Sequence, residues 1–428
     1  MLEVAFVAGA LLVYALVAQR LRTTALTGAI SFAGLGLLAG DQGVGIVTTQ
    51  ETGEWVTLVL EVTLAVVLFT DAAATSSTAL MRERSVALRL LGVGLPLSIV
   101  AGWAVALVLL PELSLWEAAL IGAILAPTDA ALGEAVVSNP RVPALIRDEL
   151  SIESGLNDGL ALPFVTLFVA LALTANGQES EVAPVEAFLR ATVLSGALGI
   201  AVAWVAARLL LWSQDRGWGA PSWQSIALLG VTVLAYVSAD AVEGSGFIAV
   251  WAAGATTGTI ARDRLAGVGE FPSKLSELLT SVSYLLFGAL FLGRAIENAT
   301  WAGLGYALLS LTVVRMLPVF LSLLGTRFSR PTGAYIGWFG PRGLASLIFA
   351  GIVVENELPG AAPIVNVVML TVGLSILLHG ISAWWGAERY ADWFERASRE
   401  RPDLPEGGTS PPVSRRRGIG WAHRSDEA

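Results

Sequence analysis

The feature that most constrains this chain is a series of long apolar runs, most of about 18 to 25 residues, separated by short breaks rich in charge, Pro or Gly. Roughly 20 apolar residues cross ~30 Å of hydrocarbon as a helix, each adding ~1.5 Å of rise. With no water in the bilayer core, every backbone N–H and C=O needs an internal partner, which a helix supplies. Only 14% of the 428 residues are charged and 55% are hydrophobic, against roughly 25% charged in a soluble domain. The chain is therefore expected to be an all-α, polytopic membrane protein. It has no cysteine, which excludes disulfides, thiolate catalysis and Cys-ligated zinc. Its two histidines, His379 and His423, form no HExxH motif and argue against a histidine-based triad.

Hydropathy and the breaks predict thirteen helices, near 3–19, 24–47, 55–77, 87–110, 114–137, 146–174, 187–212, 222–239, 245–261, 274–293, 299–325, 332–354 and 361–385. The first lacks a preceding basic segment and is followed by Arg20 and Arg22, so it reads as a span and not a cleaved signal. Loops after odd-numbered helices carry Arg20, Arg22, Arg82, Arg84, Arg141, Arg147, Arg216, Arg262, Arg264, Lys274, Arg327 and Arg330. Those after even-numbered helices carry Glu51, Glu54, Glu112, Glu179, Glu181, Glu186, Asp240, Glu243, Glu297, Glu355 and Glu357, with only Arg190 and Arg294 near their ends. The positive-inside bias then puts the N-terminus outside and the C-terminus in the cytoplasm. Trp55, Trp116, Trp212, Trp223, Trp301, Trp384 and Trp385 fall at span ends, as an aromatic belt requires. Residues 1–387 form the expected transmembrane domain. Residues 388–428, with their prolines and the run Arg415-Arg416-Arg417, are expected to be a disordered cytoplasmic tail.

Ionisable side chains inside spans are costly and mark candidate function. Here they are Glu61, Asp71, Asp129, Glu134, Glu153, Asp158, Arg315 and Arg342. Asp71 is eleven residues from Arg82, Asp129 twelve from Arg141, Asp158 eleven from Arg147, and Arg342 twelve from Arg330. At helical rise each distance is ~16–18 Å, about half the hydrocarbon thickness. Four charges on four helices share one plane, which points to a common polar site. Glu61 and Glu134 read as hydrated or paired groups outside it.

The sixth helix carries Glu153-Ser154-Gly155-Leu156-Asn157-Asp158-Gly159. Residues four apart stack on one helix face, so Glu153 and Asn157 form one stripe, and Ser154 and Asp158 the next. Helices five and twelve look like inverted counterparts. One reads Ile121-Gly122 and then Pro127-Thr128-Asp129; the other reads Ile336-Gly337 and then Pro341-Arg342-Gly343. Each Pro removes a donor and breaks its helix in mid-membrane, and an offset of seven spans turns the second copy upside down. Asp129 is placed to compensate half-helix N-terminal dipoles, and Arg342 C-terminal ones.

These three elements, Pro127-Thr128-Asp129, Glu153-Ser154-x-x-Asn157-Asp158 and Gly340-Pro341-Arg342-Gly343, resemble the monovalent cation:proton antiporters of the NhaP/NHE type. The resemblance covers about residues 1–385. It implies that Asp158 binds Na⁺ and H⁺ in competition, helped by Ser154 and Thr128, with Asp71 near the ion path. It also implies that Asp129 and Asn157 hold the crossing together and that Glu153 pairs with Arg342, while Arg315 has no assigned role. Two inverted repeats, a homodimer and a place in the plasma membrane belong to the same expectation. So do partners limited to the cation, the proton and the lipid bilayer, with no nucleic acid and no cofactor.

The residue chemistry is coherent by itself. Hard oxygens of carboxylate, hydroxyl and carbonyl suit Na⁺, Li⁺ or K⁺. Desolvation makes a carboxylate easier to protonate, so one group can hold cation and proton in turn. No GxxxxGK[ST] element is present, which disfavours an ATP-driven pump. Asn157 beside Asp158 leaves one principal exchangeable carboxylate and predicts electroneutral 1:1 exchange. A K⁺/H⁺ antiporter of the same fold and a cation channel remain as alternatives. An intramembrane enzyme would rest on Asp129 and Asp158 as an aspartyl pair.

Overall fold

The computed structural model describes residues 2–21, 24–48, 53–74, 86–129, 131–177, 183–261 and 269–407. Among these there is no strand. The helices are α1 (Leu2–Leu21), α2 (Gly28–Ala39), α3 (Gly53–Ala74), α4 (Val86–Leu109), α5 (Leu115–Ile124), α6 (Glu134–Val137), α7 (Ala144–Ala175), α8 (Pro184–Asp215), α9 (Pro221–Asp240), α10 (Gly246–Ala261), α11 (Glu270–Glu297), α12 (Trp301–Ser322), α13 (Arg330–Trp338), α14 (Leu344–Glu355) and α15 (Ala361–Glu400). Nine of the described helices are long and apolar enough to cross a membrane. Large apolar side chains such as Leu16, Val108, Leu209 and Val233 face outward, as a lipid-embedded surface requires. The charged residues Arg22, Glu51, Arg82, Arg84, Glu179, Glu181, Arg262 and Arg264, and the run Arg415-Arg416-Arg417, lie outside the described residues.

Two predicted spans are interrupted. The 114–137 segment is helical as α5, is non-helical over 125–129 and 131–133, and resumes as the short α6; the 332–354 segment breaks over 339–343 between α13 and α14. Pro127 and Pro341 sit in these breaks; each lacks a donor and disfavours helix in the residue before it. The start of α5 is firmly set. Ser114 Oγ accepts the Glu117 N–H and Glu117 Oε2 accepts the Ser114 N–H, a reciprocal capping box. Glu117 Oε1 also accepts the Gly360 N–H at 2.8 Å, so one buried carboxylate ties the beginnings of α5 and α15 together.

Lipid gives little hydrophobic drive between helices, so close backbone approach at small residues takes its place. A Cβ on Gly36 of α2, or on Gly40 just past its end, would collide with the carbonyls of Leu285 and Ala289 on α11, respectively. Likewise Gly254 and Gly258 of α10 lie against the carbonyls of Phe69 and Ala73 on α3, and Gly199 of α8 against Ala249 of α10.

Three sequence expectations change. The predicted 24–47 helix is helical only as α2, because the following chain folds back, with Ile46 N–H and Val47 N–H donating to the Ala39 carbonyl. Trp116 packs inward, 5.8 Å from Trp103 and 6.1 Å from Phe168 by ring centroids. The last helix does not stop near 388 but runs to Glu400. Arg141 holds this extension through Glu388, Asp392 and Glu395. Hydrogen bonds to Glu395 and then Asp392 raise the Arg141 pKa further above its usual value. Beyond it Glu406 is fully buried, accepting the Ser329 N–H at 2.9 Å and the Thr332 hydroxyl at 2.7 Å at the start of α13. Residues 408–428 of the predicted tail lie outside the described residues.

Candidate cation site at the helix crossing

The two broken segments cross chain to chain, with the Asp129 N–H donating to the Pro341 carbonyl at 2.8 Å. Helix ends leave amides and carbonyls without helical partners, and side chains of the opposite segment supply them here. Asp129 Oδ2 accepts the Leu344 N–H at 2.8 Å, capping α14, and the Tyr284 hydroxyl at 2.7 Å; Oδ1 accepts the N–H groups of Ala131 and Leu132. Gly343 makes this possible, since a Cβ there would strike the Asp129 carboxylate. In the reverse direction, Arg342 Nη1 donates to the carbonyls of Ala126 (2.5 Å) and Pro127 (3.0 Å) just past α5. Ser346 Oγ donates to the Ile124 carbonyl at 2.7 Å. A carboxylate thus faces exposed amides and a guanidinium faces exposed carbonyls, the favourable polarity for each.

α7 runs past this crossing and presents four polar side chains to it or its surroundings. Ser154 Oγ donates to the Thr128 carbonyl and Asn157 Nδ2 donates to Thr128 Oγ1, both at 2.6 Å. Glu153 is 3% exposed and forms a two-point pair with Arg315 of α12, at 2.5 and 2.9 Å. Asp158 is 8% exposed, and its buried Oδ1 receives no hydrogen bond among the described residues. A cleft lined by Thr128, Asp129, Gly133, Val137, Ser151 and Ser154 reaches the crossing, one helical turn short of Asp158. Asp71, half-buried on α3, and Asp129 are the carboxylates that act electrostatically on Asp158. Glu61 lies apart, on α3 nearer Glu355 and Asp240. The side chain of Glu134 lies outside the described residues.

One expected contact is replaced. Glu153 pairs with Arg315 and not with Arg342. The reason is spatial: Gly340 has no side chain where the Arg315 guanidinium lies, so Arg315 reaches Glu153, while the carbonyls beyond α5 engage Arg342. Asn157 bonds to Thr128 and not to Asp129, whose acceptors are engaged by Tyr284 and backbone amides. Sequence reasoning left Arg315 without a role and passed over Tyr284 and Ser346. The available signals were that a buried guanidinium needs an acidic partner and that a phenol within an apolar run needs a hydrogen bond.

The sodium/hydrogen exchanger transmembrane family matches residues 7–386 of this chain. The chain is 26% identical over 361 residues to the K⁺/H⁺ antiporter NhaP2 of Shewanella sp. (strain ANA-3), covering 82% of this chain and 60% of that protein. It is 25% identical to the K⁺/H⁺ antiporter NhaP of Alkalimonas amylolytica, covering 84% and 61%. The chain therefore spans about three fifths of the length of these curated relatives. Its fold matches that of the sodium proton antiporter MjNhaP1 from Methanocaldococcus jannaschii with a TM-score of 0.76 at 22% identity, covering 91% of this chain and 98% of that one. With the family matched over nearly all of the helical region, this chain belongs to the sodium/hydrogen exchanger family.

Proposed function

We propose that the chain exchanges a monovalent cation for a proton by alternating access, Na⁺ and H⁺ competing for the Asp158 carboxylate. One observation carries this reading. Glu153 is matched by Arg315 and Asp129 by four donors, whereas the buried Asp158 Oδ1 has no donor among the described residues. A buried carboxylate oxygen without a partner is costly, and binding either a cation or a proton relieves that cost. Ser154 Oγ and the Thr128 oxygens are the further hard ligands, and Asp71 lines the approach. Asp129, Asn157, Glu153 and Arg342 hold the site's geometry, now with Arg315 as the partner of Glu153. No bound cofactor takes part in the exchange.

Asp158→Asn is expected to abolish cation-driven pH recovery in everted vesicles while the protein still inserts and folds; recovery at the wild-type rate would sink the assignment. Asp158→Glu should keep part of the activity with a changed cation affinity. The neutral Asn157 leaves one exchangeable carboxylate, so the exchange is electroneutral at 1:1. In proteoliposomes, Na⁺ transport should respond to a pH gradient and ignore a valinomycin-clamped potential. K⁺ is the second reading, favoured by the names of the Shewanella and Alkalimonas relatives; running Na⁺, Li⁺ and K⁺ in turn separates the two. The working arrangement in this proposal is a plasma-membrane homodimer with the N-terminus outside and residues 388–428 on the cytoplasmic side.

A further inference from the structure

α15 presents a polar stripe, Ser375, His379 and Ser382, at spacings of four and three residues, so all three share one face. The stripe lies against the break between α13 and α14. His379 is 1% exposed. Its Nε2 is 2.9 Å from the carbonyl of Trp338, the last residue of α13. Its Nδ1 is 3.2 Å from Ser375 Oγ and 3.0 Å from the Ser375 carbonyl. Ser375 Oγ accepts the Arg342 N–H at 2.7 Å, and Ser382 Oγ accepts the Trp338 indole N–H at 2.9 Å.

The chemistry of these partners assigns the proton. A backbone carbonyl only accepts, and each ring nitrogen faces one; Nδ1 has the Ser375 hydroxyl as an alternative donor whereas Nε2 has only the Trp338 carbonyl, so Nε2 carries the hydrogen and donates it to Trp338. Nδ1 is then a lone pair, and the Ser375 hydroxyl donates to it. That leaves a lone pair on Ser375 Oγ for the Arg342 amide, and all three groups are satisfied in a single direction. The Trp338 carbonyl also accepts the Gly340 N–H within the turn, but that bond is local; the bond from His379 ties the end of α13 to a neighbouring helix. One side of the break is thus held by Asp129 and the carbonyls past α5, and the other by Ser375 and His379.

We infer that His379, as the Nε2–H tautomer, is a positioning residue for the exchange: together with Ser375 it fixes the break that carries Arg342 and the Pro341 carbonyl, and hence the crossing against which Asp158 works. The inference rests on the antiport reading of the Asp158 site. It concerns the rate of the conformational cycle and not the ligation of the cation, because His379 touches neither Asp158 nor its proposed ligands among the described contacts.

The test uses the purified full chain in proteoliposomes. His379→Leu should lower the maximal exchange rate about tenfold while the half-saturating cation concentration changes less than about twofold, the signature of an interaction that acts on turnover and not on binding. His379→Gln, whose amide can donate to the Trp338 carbonyl, should regain more than half of the wild-type rate. His379→Asn, too short to reach it, should not. Ser375→Ala should slow turnover in the same way, and the Leu/Ala double variant should be no slower than His379→Leu, since both act through one chain of bonds. A wild-type rate in His379→Leu, a Gln variant as slow as the Asn variant, or an additive double variant would each overturn the inference. If His379→Leu does not fold, the Gln and Asn pair decides. A readout independent of transport is nitrogen NMR on the His423→Gln protein, whose single imidazole is His379. A protonated Nε2 with a bare Nδ1 is expected, and the opposite tautomer overturns the inference. Should the wild-type protein move no protons against a cation gradient, the antiport reading fails and the tautomer measurement alone judges His379.

Discussion

The crossing and the glycine seams hold the same molecule together by opposite means. Where α10 meets α3 and α2 meets α11, helices are unbroken and glycines lie against carbonyls, so contact is dense, apolar and non-directional. At the crossing the helices are broken, and directed bonds from Asp129, Arg342, Ser346 and Tyr284 replace the missing helical ones. A seam of the first kind needs only small residues at the right period. A crossing of the second kind depends on directed bonds, and among the described residues those bonds engage Asp129 and Glu153 but leave Asp158 Oδ1 without a donor.

The largest expected break in this contrast is at the Glu153–Arg315 pair. Removing one partner of a buried, hydrogen-bonded ion pair costs ~3–5 kcal/mol because the other charge stays behind. Glu153→Gln and Arg315→Ala should each lower the melting temperature of the purified protein more than Asp158→Asn does. The Glu153→Leu/Arg315→Leu double variant should recover much of the loss, since replacing both charges with apolar groups is often near neutral. If the single variants melt like wild type, the pair is not holding α7 to α12.

Gly343→Ala comes next. The new Cβ strikes the Asp129 carboxylate, and overpacking a tight site costs ~1–3 kcal/mol. Because the shift falls on the cap of α14, exchange should fall together with stability; unchanged exchange would detach Asp129 from the working site.

Gly254→Ala sharpens the comparison from the other side. It forces α10 away from the Phe69 carbonyl at a similar or smaller cost, ~1–2 kcal/mol. Melting should drop while exchange per folded molecule is largely kept, because no polar bond of the crossing is touched.

Arg141→Ala is expected to have the smallest effect. Its ion pairs are solvent-exposed, and exposed pairs contribute little and are screened by salt. The melting temperature should change within the error of the measurement at high salt. A large drop there would mean that the Arg141 pairs, and not the packing of Tyr390 on Tyr335, hold the α15 extension.

Much of this architecture was legible in the sequence because it depends on local quantities. Run length marks the helices, and the prolines at 127 and 341 mark the breaks. The i, i+4 spacing of Ser154 and Asp158 marks a shared stripe. The cost of a buried charge singles out Asp129, Glu153, Asp158, Arg315 and Arg342 without any knowledge of their neighbours. The helix past residue 388 was not legible, because its polar composition matches that of a solvated tail and its order comes chiefly from burial of Tyr390 and Ala391, with Tyr390 stacked on Tyr335 of α13.

The sequence by itself determined that this chain folds as membrane helices, which two of them break, and which side chains must find partners inside. The tertiary structure decided who those partners are. Glu153 had two arginines available, and the choice of Arg315 followed from the space left beside Gly340, a residue remote from Glu153 and Arg315 in the chain. Asn157 met Thr128 and Asp129 met Tyr284 for the same reason. Burial cost is a property of a residue and its helix, and it can be read along the chain; a hydrogen bond at 2.6 Å is a property of two helices packed together, and it exists only once they meet.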